Sequence, residues 1–213
     1  MHKLTLAALA AVVVGTGVFA AGATGAKPVK SCLGLSPTIA GTQGADVITG
    51  TAGADVISAG AGNDKVQGGD GDDVICGGAG RDELQGGAGT DKLAGQQDKD
   101  LIDGGMLGCC GPGDSGNDVL DGNQGADTLH ASDVGDNTLR GGQGADELHG
   151  WQGSDNLDGG NGRDLLEAFT GNDTLTGGNG GDRLDGGPGS DTLDGGRGGD
   201  TCLNGEVSTR CEA

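Results

Sequence analysis

From Gly41 to Leu203 the chain repeats every nine residues, and a fixed short period of this kind leaves few folds open. Two consecutive units show the pattern. Gly68-Gly69-Asp70-Gly71-Asp72-Asp73-Val74-Ile75-Cys76 is followed by Gly77-Gly78-Ala79-Gly80-Arg81-Asp82-Glu83-Leu84-Gln85. Glycine holds the first, second and fourth places, aspartate the sixth and an aliphatic residue the eighth. The sixth place is filled by Asp46, Asp55, Asp64, Asp73, Asp82, Asp91, Asp100, Asp118, Asp127, Asp146, Asp155, Asp164, Asp173, Asp182, Asp191 and Asp200. Cys109 stands there in one unit, and Asn137 in another after a one-residue insertion. The eighth place is aliphatic from Ile48, Ile57 and Val66 through to Leu184 and Leu193, with Gly111 and Cys202 as the exceptions.

Stripped of its order, a chain with 51 glycines, one tryptophan, no tyrosine and a net charge of −20 would be expected to stay disordered. The period changes that expectation. Three residues around the eighth place, such as Val74-Ile75-Cys76, alternate across a short strand and send the aliphatic inward. The glycines that follow permit a tight turn with positive φ. Each nonapeptide is then half a coil, and coils of eighteen residues stack about 4.8 Å apart. The result is an all-β chain with two parallel sheets around a thin aliphatic core, about nine coils and roughly 40 Å long. One coil cannot bury its own face, so neighbouring coils and the turns must supply stability.

The units match G-G-x-G-x-D-x-U-x, and over Gly41 to Leu203 the chain resembles the RTX, or haemolysin-type, calcium-binding repeat family. The resemblance implies a parallel β-roll, a right-handed β-solenoid with two nonapeptides per coil and about 18 turns. It further implies several Ca²⁺ ions between turns eighteen residues apart. These would be held by the sixth-place aspartates and by turn carbonyls such as those of Gly68, Asp70, Asp72, Gly77, Ala79 and Arg81. Oxygen-rich, anionic turns suit a hard cation with 6–8 oxygen ligands. An unbroken eighteen-residue coil would place Asp46, Asp64, Asp82, Asp100, Asp118, Asn137, Asp155, Asp173 and Asp191 in one column. The other column would run Asp55, Asp73, Asp91, Cys109, Asp127, Asp146, Asp164, Asp182 and Asp200. Asp98 at a glycine place, Ala131-Ser132 and Ala168-Phe169 all depart from the pattern, so fewer ions than turns are expected.

The ends read differently. Met1-His2-Lys3 is a short basic start, Leu4 to Val14 is an uncharged apolar run, and Ala21-Gly22-Ala23 offers small residues. This is the layout of a secretory signal, residues 1–23, cleaved near Ala23 or Ala26; the apolar run falls short of the ~20 residues that span a bilayer. Residues 24–40 form a lead and cap, 41–203 the β-roll and 204–213 a C-terminal cap. Export makes the six cysteines disulfide-permissive, with Cys202–Cys211 the expected local pair and the role of Cys109-Cys110 open. The acidic surface repels nucleic acid.

The expected function is that of a secreted, extracellular calcium-binding repeat protein, folded by calcium and serving as a structural or interaction module. It is not expected to be an enzyme. The alternatives are an extracellular polysaccharide-modifying enzyme and a cell-surface adhesin or scaffold; a protein or glycan partner is not identified. Gly113-Asp114-Ser115-Gly116 looks like a serine-protease segment, but the mature chain offers only His130 and His149 to complete a triad, and both follow the serine. Asp98, Asp100 and Asp103 mimic an EF-hand loop, yet Ile102 and Cys109 occupy ligand places. His130 and His149 should neighbour each other as solvated groups on an outer sheet face, the alternative being a transition-metal site. Trp151 and Phe169, eighteen residues apart at second-glycine places, should sit one above the other about 5 Å apart along the rod.

Overall fold

A computed structural model describes residues 31–105, 116–132 and 134–211, so the N-terminal segment read as a secretory signal, Cys109-Cys110 and the residues from Gly113 to Ser115 lie outside the described residues. The described chain contains strands and turns and no helix. Strands alternate between a ten-stranded and a nine-stranded sheet, and every strand pairs in parallel with the strand one coil away. This is the β-solenoid of about nine coils that the nine-residue period demands.

Register explains the core. Ile57 lies beside Ile39 and Ile75, and Leu157 beside Leu139 and Leu175, so the eighth-place aliphatics of the ten-stranded sheet stack in one row. Ile48, Val66, Leu84 and Ile102 begin the facing row. These side chains are buried, from Ile48 and Ile57 to Leu184 and Leu193. The core is therefore a two-row ladder of single aliphatics. Each row is kept in place by backbone pairing rather than by a thick apolar mass.

At one point the pairing departs from eighteen residues by a whole unit. Leu93 lies beside Leu120 and Ile102 beside Leu129, a separation of 27 in each case. The register steps over one whole nonapeptide, the one with Cys109 at the aspartate place and Gly111 at the aliphatic place. By sequence that unit has neither an in-phase aliphatic nor an in-phase carboxylate to offer the two ladders, and the neighbouring coils pair across it. The two turn edges consequently exchange their aspartates beyond Asp100.

Most turns have left-handed backbone at their second place, and many at their fourth. Gly78 has φ of 122°, and a β-carbon there would lie 2.0 Å from the carbonyl oxygen of Gly60 one coil earlier. Non-glycine residues at equivalent places still adopt this conformation: Gln96, Asp98, Asn123, Trp151 and Phe169 all have positive φ. Such residues cost about 1–2 kcal/mol each relative to glycine, so coil stacking overrides local preference at these turns.

Two disulfides tie the ends down. Cys202–Cys211 closes the C-terminal coil as the sequence suggests. Cys32–Cys76, which sequence did not single out, fastens the lead segment to the outer face of the ten-stranded sheet. There Cys32, Cys76 and Ala94 form a small second apolar cluster with Val56 and Val74.

Trp151 and Phe169 stack with ring centroids 4.7 Å apart and planes within 6°, as the eighteen-residue coil requires. Trp151 also leans on the main core, and its Nε1 is buried. Removing the Phe169 ring should admit water to Trp151 and take away about 0.5–1.5 kcal/mol of ring contact. Phe169→Ala is expected to red-shift the Trp151 fluorescence of the folded protein; an unchanged emission maximum would contradict the stack.

Candidate metal-binding turns

Each in-phase aspartate from Asp46 to Asp200 is buried at the end of its turn. From Asp64 onward, its Oδ1 accepts the backbone N–H of the in-phase residue one coil earlier. Asp46 N–H donates to Asp64 Oδ1 at 2.8 Å, Asp64 N–H to Asp82 Oδ1 at 2.9 Å and Asp82 N–H to Asp100 Oδ1 at 2.8 Å. The relay crosses the 27-residue step without a break: Asp91 N–H donates to Asp118 Oδ1 at 2.9 Å and Asp100 N–H to Asp127 Oδ1 at 2.7 Å.

This relay corrects the columns expected from an unbroken eighteen-residue coil. One column runs Asp46, Asp64, Asp82, Asp100, Asp127, Asp146, Asp164, Asp182 and Asp200. The other runs Asp55, Asp73, Asp91, Asp118, Asn137, Asp155, Asp173 and Asp191. Cys109 is not a flaw in either relay, because the register steps over its unit. Asn137 is the one non-carboxylate member among the described turns, and its amide oxygen takes the Asp118 N–H at 2.9 Å. At the C-terminal end Glu206 substitutes for a further aspartate, accepting the N–H of Asp191.

The second carboxylate oxygen is the chemically open one. Oδ2 of Asp64, Asp73, Asp82, Asp100, Asp127, Asp146, Asp155, Asp164, Asp173, Asp182, Asp191 and Asp200 is buried and accepts no hydrogen bond. A buried carboxylate oxygen without a donor is strongly unfavourable unless a cation meets it. The first-place glycines keep open the space it faces. A β-carbon on Gly68 would lie 2.3 Å from Asp73 Oδ2 and 2.5 Å from the Gly86 carbonyl oxygen one coil on. For Gly159 the neighbours are Asp164 Oδ2 at 2.7 Å and the Gly177 carbonyl oxygen at 2.8 Å. Carboxylate and carbonyl oxygens from adjacent coils thus converge on one small cradle. Among the described residues, no three His, Cys, Asp or Glu side chains group to hold a metal. An ion in these turns would therefore draw most ligands from carbonyls, which fits Ca²⁺ and not a softer metal. Asp46 and Asp55 differ: their Oδ2 atoms accept hydrogen bonds from Thr42 and Thr51.

A further ladder, missed from sequence, runs along the fifth places. Asn63 Oδ1 accepts the N–H of Arg81, Asp72 that of Thr90, Asn117 that of Asp136, Asp136 that of Ser154 and Asn172 that of Ser190. The signal was an Asx residue just before the in-phase aspartate, hidden by the variability of that place.

His130 and His149 do meet, with centroids 4.9 Å apart on adjacent strands. They are not the solvated pair expected. The His149 side chain is only 13% exposed, lies against Phe169 and contacts Glu147 and Glu167. Burial, and then the neighbouring His149, hold the His130 pKa below its ordinary value.

Without a cation the columns are electrostatically strained. Burial first, and stacked carboxylates second, push aspartates above their ordinary range against the pull of the backbone N–H donors. Asp73, Asp82, Asp127 and Asp173 rise to about 6, Asp155 and Asp164 to about 7, and Asp100 to about 8. The ordinary value, which the unfolded chain keeps, is 3.8. Between these limits the folded chain holds more protons than the unfolded one, so rising pH removes stability. Metal-stripped protein is therefore expected to carry most β-structure near pH 4 and to lose it as pH rises through about 6 to 8. Circular dichroism across that range checks this; a metal-free spectrum richer in strand at pH 8 than at pH 4 would contradict it.

The sequence pattern of the RTX calcium-binding nonapeptide repeat matches residues 40–75, 49–84, 76–106, 112–133, 132–166 and 167–202. Comparison with curated proteins gives no match.

Proposed function

Because the chain belongs to the RTX calcium-binding nonapeptide-repeat family, we propose that it is an exported β-roll whose turns take up calcium and that this uptake folds it into a structural or interaction module. The observation that carries the reading is the file of buried, undonated Oδ2 atoms along both turn edges. Calcium, when bound, supplies two positive charges and accepts six to eight oxygens at about 2.4 Å. The chain's own residues do the rest. The in-phase aspartates offer Oδ2 while Oδ1 stays locked to the preceding coil. First-place glycines such as Gly68 and Gly159 leave the cradle open, and the turn carbonyls complete the ligand set. Asp64, Asp73, Asp82, Asp91, Asp100, Asp118, Asp127, Asp146, Asp155, Asp164, Asp173, Asp182, Asp191 and Asp200 are the side chains assigned to the ions.

Folding follows from the same arrangement. A two-row core offsets little of the ~1–2 kcal/mol per residue that ordering the backbone costs, and closely stacked carboxylates add repulsion. A cation that binds only the assembled turns converts its binding free energy into folding free energy. Export is supported by the Cys32–Cys76 and Cys202–Cys211 pairs, since disulfides persist in oxidising compartments. Among the described residues no helix is long and apolar enough to cross a membrane. A polysaccharide-modifying enzyme would need carboxylates facing a substrate groove; here the in-phase carboxylates face one another along the columns.

Calcium titration of chelator-treated protein, followed by far-UV circular dichroism, tests the reading. A cooperative gain of β-structure is expected, and a strand spectrum indifferent to excess chelator would contradict it. Asp164→Ala, within an intact column, is expected to raise the calcium midpoint by about tenfold, the equivalent of about 1.4 kcal/mol. Asn137→Ala should shift it much less, because Asn137 brings no carboxylate. Equal shifts would show that the in-phase carboxylates are not the ligands.

A further inference from the structure

The first two turns are built differently from those that follow. Where most later turns carry glycine at the second place, these carry Thr42 and Thr51. The Thr42 N–H and hydroxyl both donate to Asp46 Oδ2, at 2.6 and 2.8 Å. Thr51 does the same for Asp55 Oδ2, at 2.7 and 2.9 Å. The backbone differs in step. Gly60, Gly69 and Gly78 at the second place have φ between 115° and 122°, whereas Thr42 and Thr51 are not in the left-handed region. The fourth-place Gly44 and Gly53 are not left-handed either, unlike Gly62, Gly71 and Gly80 in the coils that follow directly, a state they share with Gly116, Gly171 and Gly189 further on. Swinging the turn out of the left-handed region is what brings the second-place N–H onto the carboxylate. The oxygen left open elsewhere is here satisfied by the chain itself.

Three further observations fall on the same segment. The Thr38 hydroxyl donates to Asp55 Oδ1 at 3.2 Å, replacing the N–H that an earlier coil would give. The Cys32–Cys76 disulfide closes a loop around these coils. Their inward eighth-place residues are Ile39, Ile48, Ile57, Val66 and Ile75, all β-branched, whereas the fully buried eighth-place residues beyond Ile102 are leucines. β-branched side chains favour strand, and a crosslink removes freedom from the unfolded chain.

We propose that the turns of Asp46 and Asp55 hold no cation, Thr42 and Thr51 standing in for it, and that residues 38–76 form a calcium-independent seed on which the remaining coils assemble as calcium binds. This rests on the reading of the later turns as calcium sites. The seed solves the start of a solenoid: the first coil has no predecessor to template it, and a preformed edge offers the next coil its whole ladder at once.

Hydrogen exchange on the full, disulfide-intact chain separates the two claims. In chelator, amides of residues 45–58 are expected to exchange at least about tenfold more slowly than those of 155–200, and calcium should protect the latter. If calcium protects 155–200 while 45–58 is as open as the rest in chelator, the seed is overturned and the calcium reading stands. If calcium alters neither segment, the calcium reading itself fails. T42S/T51S should keep the chelator-resistant protection and T42V/T51V should lose it; protection that survives in the valine variant would overturn the hydroxyl closure. T42G/T51G should bind more calcium per chain than the wild type by titration calorimetry, and an unchanged stoichiometry would also overturn it.

Discussion

The hydrogen bond from one aspartate's N–H to the Oδ1 of the aspartate a coil later is the contact on which the rest of the structure depends. It fixes the coil repeat at the turn, where the strands cannot, and it orients every carboxylate the same way. With Oδ1 committed, Oδ2 must point into the cradle beside the first-place glycine. Electrostatics then follow from geometry. A buried relay of stacked carboxylates is unfavourable by itself, since burial first and the neighbouring carboxylates second push the aspartate pKa values up, and it becomes favourable once a cation lies between coils. Structure and ion affinity are the same set of contacts seen from two sides.

Much of this was legible in the sequence because each element is set by one residue type at one place. The eighth-place aliphatics are the core, the sixth-place aspartates are the turn carboxylates, and eighteen residues separate stacked neighbours, as Trp151 and Phe169 show. The two columns were not legible throughout. Counting by nines keeps the unit of Cys109 and Gly111 in phase, whereas the register steps over that unit, which by sequence offers the ladders neither an in-phase aliphatic nor an in-phase carboxylate. The Cys32–Cys76 bridge depends on the lead folding back over an outer sheet face, which no local pattern encodes. Thr42 and Thr51 stand at second-glycine places, and only the geometry reveals that their hydroxyls close on Asp46 and Asp55.

The two ends of the rod are finished by different means. At the N-terminal end threonine hydroxyls satisfy carboxylates that have no preceding coil. At the C-terminal end Glu206 supplies the acceptor that a further aspartate would have given, and Cys202–Cys211 pins the last strand. Repeat arrays require such terminal units, because an end coil has only one neighbour to share contacts with. Between the ends, irregular units are tolerated where the relay can be maintained: Asn137 carries it with an amide, and the 27-residue step carries it past a whole nonapeptide.

Anomalous scattering from calcium-grown crystals would test the central claim most directly. Two files of calcium peaks are expected, each peak beside the Oδ2 of an in-phase aspartate from Asp64 onward, with none at the turns of Asp46 and Asp55. Intact columns whose Oδ2 atoms contact no cation at saturating calcium would contradict the assignment.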